Sequence, residues 1–178
     1  MNEPHQPATT PHGSLYFPYR VHDSAPAAPV HDLPALVVGA GPIGLVTALG
    51  LAQQGVRCVV LAAELQVCEG SRAIVFTRRS MEILQQAGVA EAIVAKGLPW
   101  RCGNSFYRGQ RVFRMEAPFP DDDRFGPLTN LQQQFVEQFL VDAICRQPLI
   151  ELRWGHKVTR LGRNDEAVTV DVATPTGN

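Results

Sequence analysis

Gly39, Gly41 and Gly44 are the residues whose spacing points most plainly to chemistry. They lie in the string Gly39-Ala40-Gly41-Pro42-Ile43-Gly44, a GxGxxG pattern that is weak evidence when it stands alone. Here an apolar run over residues 35–38 precedes it and a helical pattern follows it. In that setting each glycine has a task. Gly39 permits the tight turn, Gly41 leaves room for a pyrophosphate against the backbone, and Gly44 lets the helix pack closely on the strand. The N-terminal amides of the helix that Pro42 opens, from Ile43 on, favour the phosphate charge together with the helix dipole. The alternative is an ordinary glycine-rich turn between a strand and a helix.

Such a turn usually has a partner carboxylate about 20 positions on, at the end of the second strand, to hold the ribose hydroxyls. Counted from Gly55 through Val60 and Leu61, that position is Ala62, a departure from the pattern. Glu64 is the candidate substitute, because a strand continued past Leu61 would turn positions 62 and 64 to one side. The other reading of Glu64 is a solvated loop carboxylate. If the missing carboxylate limits binding, Ala62→Glu tightens it.

The elements that would position these residues follow from hydrophobic periodicity. Residues 35–38 suit a buried parallel strand. Residues 42–54 read as a helix with a proline in its first turn, with Ile43, Val46, Leu49 and Gly50 on one face and Gly55 as its stop. Residues 57–61 are the next strand, completing a βαβ unit. Helices are expected over 78–87, with Met81, Ile83 and Leu84 as its apolar positions, and over 89–95. A hairpin turns on Arg108-Gly109-Gln110 between strands 104–107 and 111–115. Residues 117–127 are rich in Pro and Asp and read as loop. A helix over 131–145, with Phe135, Phe139 and Leu140 inward, leads to strands 150–154, 157–161 and 167–173, which look antiparallel. No internal repeat is present.

Residues 1–33 read as a flexible tail, since half of the chain's 14 prolines lie at or before Pro34 and proline removes backbone donors. Its four histidines, His5, His12, His22 and His31, fit no metal spacing, so a solvated tail is the expectation and no metal is assigned. The domain proper is expected over residues 34–178. The net charge of −1 argues against a nucleic-acid surface or a polybasic membrane patch. No apolar run is long enough to span a bilayer. Four cysteines without a Cys-x-x-Cys pair, and no signal-peptide pattern after Met1, lead to the expectation of a reducing, cytoplasmic setting.

Up to Leu61 the residues serve FAD or NAD equally well. Beyond it, Ser71-Arg72-Ala73 is followed by Thr77-Arg78-Arg79-Ser80-Met81-Glu82-Ile83-Leu84. Leu131-Gln132-Gln133-Gln134-Phe135-Val136-Glu137, ending at Leu140, then carries a Gln-x-x-x-Glu-x-x-Leu spacing. From about Ala35 onward these motifs resemble the FAD-dependent aromatic hydroxylases, the family of para-hydroxybenzoate hydroxylase. The nearer likeness is to its 3-(3-hydroxyphenyl)propionate and phenol hydroxylase branch. The fold the resemblance implies is α/β: a Rossmann-like FAD-binding βαβ core with an added hairpin and strands, as an incomplete hydroxylase domain.

The resemblance also implies roles. Arg72 would approach the FAD pyrophosphate or ribose, where a guanidinium can grip phosphate through two donors. Gln133 would hydrogen-bond near the ribityl chain, and the backbone at Val158 would pass the adenine. Read without the resemblance, the three are a surface arginine, a solvated helix residue and a core valine. Arg78 and Arg79 are expected to support a helix terminus. Family members reduce FAD with NADH or NADPH and place one oxygen atom of dioxygen on a phenolic ring, with the flavin performing the difficult step. The implied cofactors are therefore FAD, with NAD(P)H as co-substrate, and the implied partner is a small aromatic substrate.

Two further family motifs, Asp-Gly and then Gly-Asp, do not occur in this sequence, and the first is expected to follow Asn178. The expectation is a chain incomplete for the catalytic cycle, with apolar surface left open to self-association. No catalytic residue is assigned. A lone His156 at a strand start reads as a surface or packing residue. The competing readings are a truncated nucleotide-binding or interaction module without catalysis and, last, an NAD-dependent dehydrogenase, which would need further βαβ repeats after Leu61.

Overall fold

The computed structural model describes residues 17–25, 33–69 and 73–175. In chain order the elements begin β1 (Ala35–Val38), α1 (Pro42–Gln53), β2 (Cys58–Leu61), β3 (Val75–Thr77), α2 (Arg78–Gln86), α3 (Ala90–Lys96) and β4 (Leu98–Trp100). They continue with β5 (Cys102–Tyr107), β6 (Gln110–Glu116), β7 (Leu128–Asn130), α4 (Gln133–Ile144), β8 (Ile150–Arg153), β9 (Lys157–Arg163) and β10 (Val168–Ala173).

The organising element is a parallel sheet in the order β1-β2-β8, with Val37 beside Val60 and Val60 beside Leu152. Central β2 is buried at all four residues, as a continuous apolar run in a parallel sheet should be. Two expectations are corrected here. β1 is an edge strand among the described residues: Leu36 and Val38 are exposed while Ala35 and Val37 pack on the core. β8 was expected in an antiparallel set, yet it runs parallel to β2, because a long crossover through α2, α3 and α4 returns the chain in the same direction. Of the three strands expected in that set, only β9 and β10 pair antiparallel to each other.

α1 packs on the sheet and against α4. Its buried residues are Leu45, Ala48, Leu49 and Ala52, a single helical face. The expected face was rotated from this one: Gly50 is exposed and Ile43 is 82% exposed. The physical reason lies in the turn, where Gly44 must face the carbonyl of Gly39. That contact fixes the helix rotation and swings Ile43 outward. On α4 the deepest residues are Val136, Leu140, Val141 and Ile144, whereas Phe135 and Phe139 are half-buried at the margin of the core. On α2, Met81 and Leu84 are buried and Ile83 is exposed.

A second sheet, antiparallel in the order β3-β7-β4, has no counterpart in the sequence reading. Each of its strands is three residues long, too short for alternation to register, and β4 carries Pro99. A side-chain bond from Trp100 Nε1 to Asn130 Oδ1, 2.7 Å, ties β4 to β7. The β5–β6 hairpin forms as expected. Arg108 (φ 48°) and Gly109 (φ 79°) both take positive φ, the turn whose twist matches paired strands.

Part of the expected tail is packed. Phe17 is 3% exposed and belongs to the core cluster, and residues 17–25 lie along the body instead of in solvent. Aromatic side chains explain this: Phe17, Tyr19 and the His22 ring each find a ring partner, which a proline count does not reveal. His5, His12 and His31 lie outside the described residues. Cys58, Cys68, Cys102 and Cys145 form no disulfide in the structure. No helix among the described residues is long and apolar enough to cross a membrane.

Candidate dinucleotide site

The glycine turn stands at the carboxyl end of β1, where the sheet opens. Gly39 takes φ 102°, a conformation that side chains with a Cβ rarely adopt, and its N–H donates to the Leu61 carbonyl at 2.8 Å. The bond fastens the turn to the end of β2. Gly41 is the N-cap of α1, extended at φ −77° and ψ 177°, with Pro42 in the first turn. A Cβ at Gly41 would meet nothing within 4 Å, so the space above the helix terminus is open. A Cβ at Gly44 would overlap the Gly39 carbonyl oxygen, so this position tolerates only glycine at the present separation of turn and helix. Ile43 and Gly44 fall in the first turn, where backbone N–H groups have no partner within the helix. No acidic residue occupies that turn to compete for them. A bare helix terminus under an open, glycine-lined surface fits a diphosphate.

The second strand ends differently from the sequence expectation. Ala62 is buried in the core cluster that also holds Phe17 and Trp154. Its N–H donates to the Arg153 carbonyl at 2.9 Å, and its carbonyl accepts the His156 N–H at 2.7 Å. Ala62→Glu would therefore drive a carboxylate into apolar surroundings, which disqualifies it as a clean probe of a missing ribose contact. The strand does not continue to position 64. Residues 63–67 are a run of bends, so the alternation argument for Glu64 lapses. Glu64 is exposed in this loop, and its backbone carbonyl accepts the Gly155 N–H at 3.0 Å. Glu64 thus lies in the loop that follows the carboxyl end of β2.

Gln133 opens α4, and its Nε2 donates to Glu137 Oε1 at 2.7 Å, one helical turn on. The other oxygen of Glu137 accepts the Cys68 backbone N–H at 2.7 Å. Glu137 is almost completely buried and so bolts the loop after β2 to α4. The sequence motif contained this residue, but no role was read for it; the four-residue spacing on one helix face was the available signal. Arg72, four residues beyond Cys68, lies outside the described residues. Arg78, the first residue of α2, pairs with Asp123 at 2.6 Å and donates to the carbonyls of Phe125 and Pro118, so its side chain pins the 117–127 loop. Arg79 pairs with Glu82 at 2.8 Å on the exposed face of α2.

Val158, in β9, is half-buried and pairs with Val172 of β10. His156 is buried, with Nδ1 2.9 Å from the Trp154 carbonyl oxygen, a packing residue and not an accessible base. Among the described residues no cluster of three or more His, Cys, Asp or Glu could hold a metal ion. The structure thus gathers Gly39, Gly41, Gly44 and Glu64 at one end of the parallel sheet, with Gln133 bound through Glu137 to the loop leading from it.

A family pattern described as FAD binding domain matches residues 32–178. A para-nitrophenol 4-monooxygenase from a Pseudomonas species is 29% identical over 148 residues, 80% of this chain and 36% of that protein. A 3-(3-hydroxy-phenyl)propionate/3-hydroxycinnamic acid hydroxylase from Mycobacterium avium is 30% identical over 155 residues, 86% of this chain and 26% of that protein. Among solved structures, a p-nitrophenol 4-monooxygenase from Pseudomonas putida superposes with a TM-score of 0.74 at 30% identity, covering 80% of this chain and 36% of that one. A flavin-dependent monooxygenase in complex with FAD and substrate gives 0.73 at 29% identity, covering 85% and 28%. The chain spans about a quarter to a third of the length of the curated relatives it matches.

Proposed function

The chain belongs to the family of FAD-binding domains, and we propose that it supplies the FAD-binding portion of a flavoprotein monooxygenase that hydroxylates a phenolic compound with NAD(P)H and dioxygen. The observation that carries the reading is the glycine turn: an open helix terminus on a parallel sheet, closed to any residue but glycine at position 44. The likeness to phenol and nitrophenol monooxygenases supports the choice of substrate class.

In this reading the first-turn amides at Ile43 and Gly44 hold the FAD diphosphate above Gly41. Arg72 adds charge to the diphosphate or ribose, and Glu64 meets the ribose hydroxyls in place of the residue at Ala62. Gln133, whose amide nitrogen is committed to Glu137, presents its carbonyl oxygen toward the ribityl chain. The β9 backbone at Val158 passes the adenine. Bound FAD supplies the two-electron carrier between nicotinamide and dioxygen. This chain's residues bind and orient it. The binding unit comprises residues 34–178 together with the packed segment 17–25, and its setting is the cytoplasm.

The test is a titration of the purified chain with FAD, followed by flavin fluorescence and the visible spectrum, and then NADH or NADPH oxidation with and without a phenol. Uptake of FAD is the expected result for the binding portion, and phenol-stimulated oxidation by the chain would show that it also carries catalysis. Uptake without oxidation leaves a nucleotide-binding module. A protein that stays colourless in excess FAD sinks the flavin reading.

A further inference from the structure

Residues 17–25 precede the stretch matched by the family pattern, which begins at residue 32, yet they pack on α4, on Trp154 and on the loop that follows β2. Four side chains seat them on the body. Phe17 meets Phe135 of α4 edge-on at 4.8 Å, and Arg20 pairs with Asp142 of the same helix at 2.7 Å. The His22 ring lies flat on Trp154, with centroids 4.6 Å apart and planes 5° from parallel. Ser24 fills the space over Gly155, where a Cβ would stand 2.8 Å from Ser24 Oγ.

The same segment reaches the loop that leaves β2. The His22 backbone N–H donates to the Leu65 carbonyl at 2.8 Å. That loop, residues 63–67, has no strand ladder of its own. Its backbone is held by Gly155 N–H on Glu64 and by His22 N–H on Leu65, and just beyond it Glu137 holds Cys68. Trp154 and Gly155 are therefore shared: one carries the His22 ring, the other binds Glu64 and abuts Ser24.

We infer that residues 17–25 form a strap that holds the 63–67 loop in the shape that receives the adenosine end of a dinucleotide, with His22 as its positioning residue through the stack on Trp154. The inference rests on the FAD reading for its ligand, but the strap's grip on the loop can be measured without one.

Full-length wild type is compared with His22→Ala, which loses the stack, and His22→Phe, which keeps a flat ring. Amide hydrogen exchange over 63–67 is read without ligand, and affinity is read for FAD and for ADP, which retains only the adenosine and diphosphate. In H22A the loop exchanges about ten-fold faster, and both ligands weaken about three- to ten-fold, the size of a lost aromatic stack. H22F returns both readouts to within about two-fold of wild type, as retention of the stack requires. Should H22A fail to fold, Arg20→Ala releases the exposed anchor on α4, and a smaller change of the same sign is expected. Unchanged exchange in every variant overturns the strap. Faster exchange with unchanged FAD and ADP affinity overturns its link to the cofactor. If wild type takes up neither ligand, the flavin reading fails, and the exchange result alone decides whether the strap holds the loop.

Discussion

The buried carboxylate of Glu137 accepts two hydrogen bonds at 2.7 Å, one from the Cys68 backbone N–H and one from Gln133 Nε2. One side chain thus couples the loop after β2 to the helix that carries the candidate ribityl contact. An amide cannot replace it, since Glu137→Gln offers one acceptor where two donors wait. E137Q is expected to lower stability by about 1 to 3 kcal/mol, the cost of an unsatisfied partly buried donor, as measured by urea unfolding. FAD affinity should fall with it, because the released loop leads directly to Arg72. A variant with wild-type stability and affinity would show that the two bonds do not matter.

Gly44 and Gly50 offer a controlled pair on α1. A methyl at 44 runs into the Gly39 carbonyl, whereas a methyl at 50 meets nothing within 4 Å. Gly50→Ala should stabilise the protein by about 0.5 to 1 kcal/mol through helix propensity. Gly44→Ala forces the turn and the helix apart and should weaken FAD binding by about ten-fold or more, the loss of one charged hydrogen bond or greater. Thermal melts and FAD titrations read the two. Equal effects at both positions would remove the case for a close approach at Gly44.

His22 gives the strap a pH dependence. Burial first, and then the charge of Arg20, hold its imidazole below the ordinary value of 6.5, while Asp142 and Asp23 pull the other way. A lowered value means that the unfolded chain takes up the proton more readily. The contribution is therefore complete above pH 6.5 and is lost as pH falls through the lowered folded value. The stability of wild type relative to H22F should decline as pH is taken from about 7.5 to about 5, because only the imidazole titrates in that range. Urea unfolding at several pH values checks this, and a constant difference across the range counts against it.

Arg78 reaches Asp123, Phe125 and Pro118 with three different nitrogens. Lysine keeps the charge but not the fork. Arg78→Lys should leave the fold intact and speed proteolytic cleavage within the 117–127 loop. Cleavage at the wild-type rate would mean that the loop is held by other contacts.

The sequence alone determined the elements whose signals are local. The apolar run before Gly39, the proline at the start of α1, the glycine stop at Gly55 and the Arg108-Gly109 turn each act within a few residues, and each element formed where expected. The family was legible for a similar reason: its motifs are short and ordered along the chain. The tertiary structure decided what depends on distant partners. β8 became parallel because it pairs with β2 across a long crossover, and β1 lies at an edge because no other described strand pairs with it. Three-residue strands in the second sheet exist only through their neighbours. The rotation of α1 was set by one contact, Gly44 on Gly39, which no periodicity encodes. Ala62 and Glu64 show the limit most clearly. Whether a residue past a strand end faces a ligand or the core depends on where the chain bends, and here that bend is held by Gly155 and by His22, residues remote in sequence. The glycine turn could be read from six adjacent residues and the strand and helix patterns that flank them. The surroundings that complete it could not, because they are assembled from residues 17–25, 62–68, 133–137 and 153–156 by packing and hydrogen bonds between segments distant in sequence.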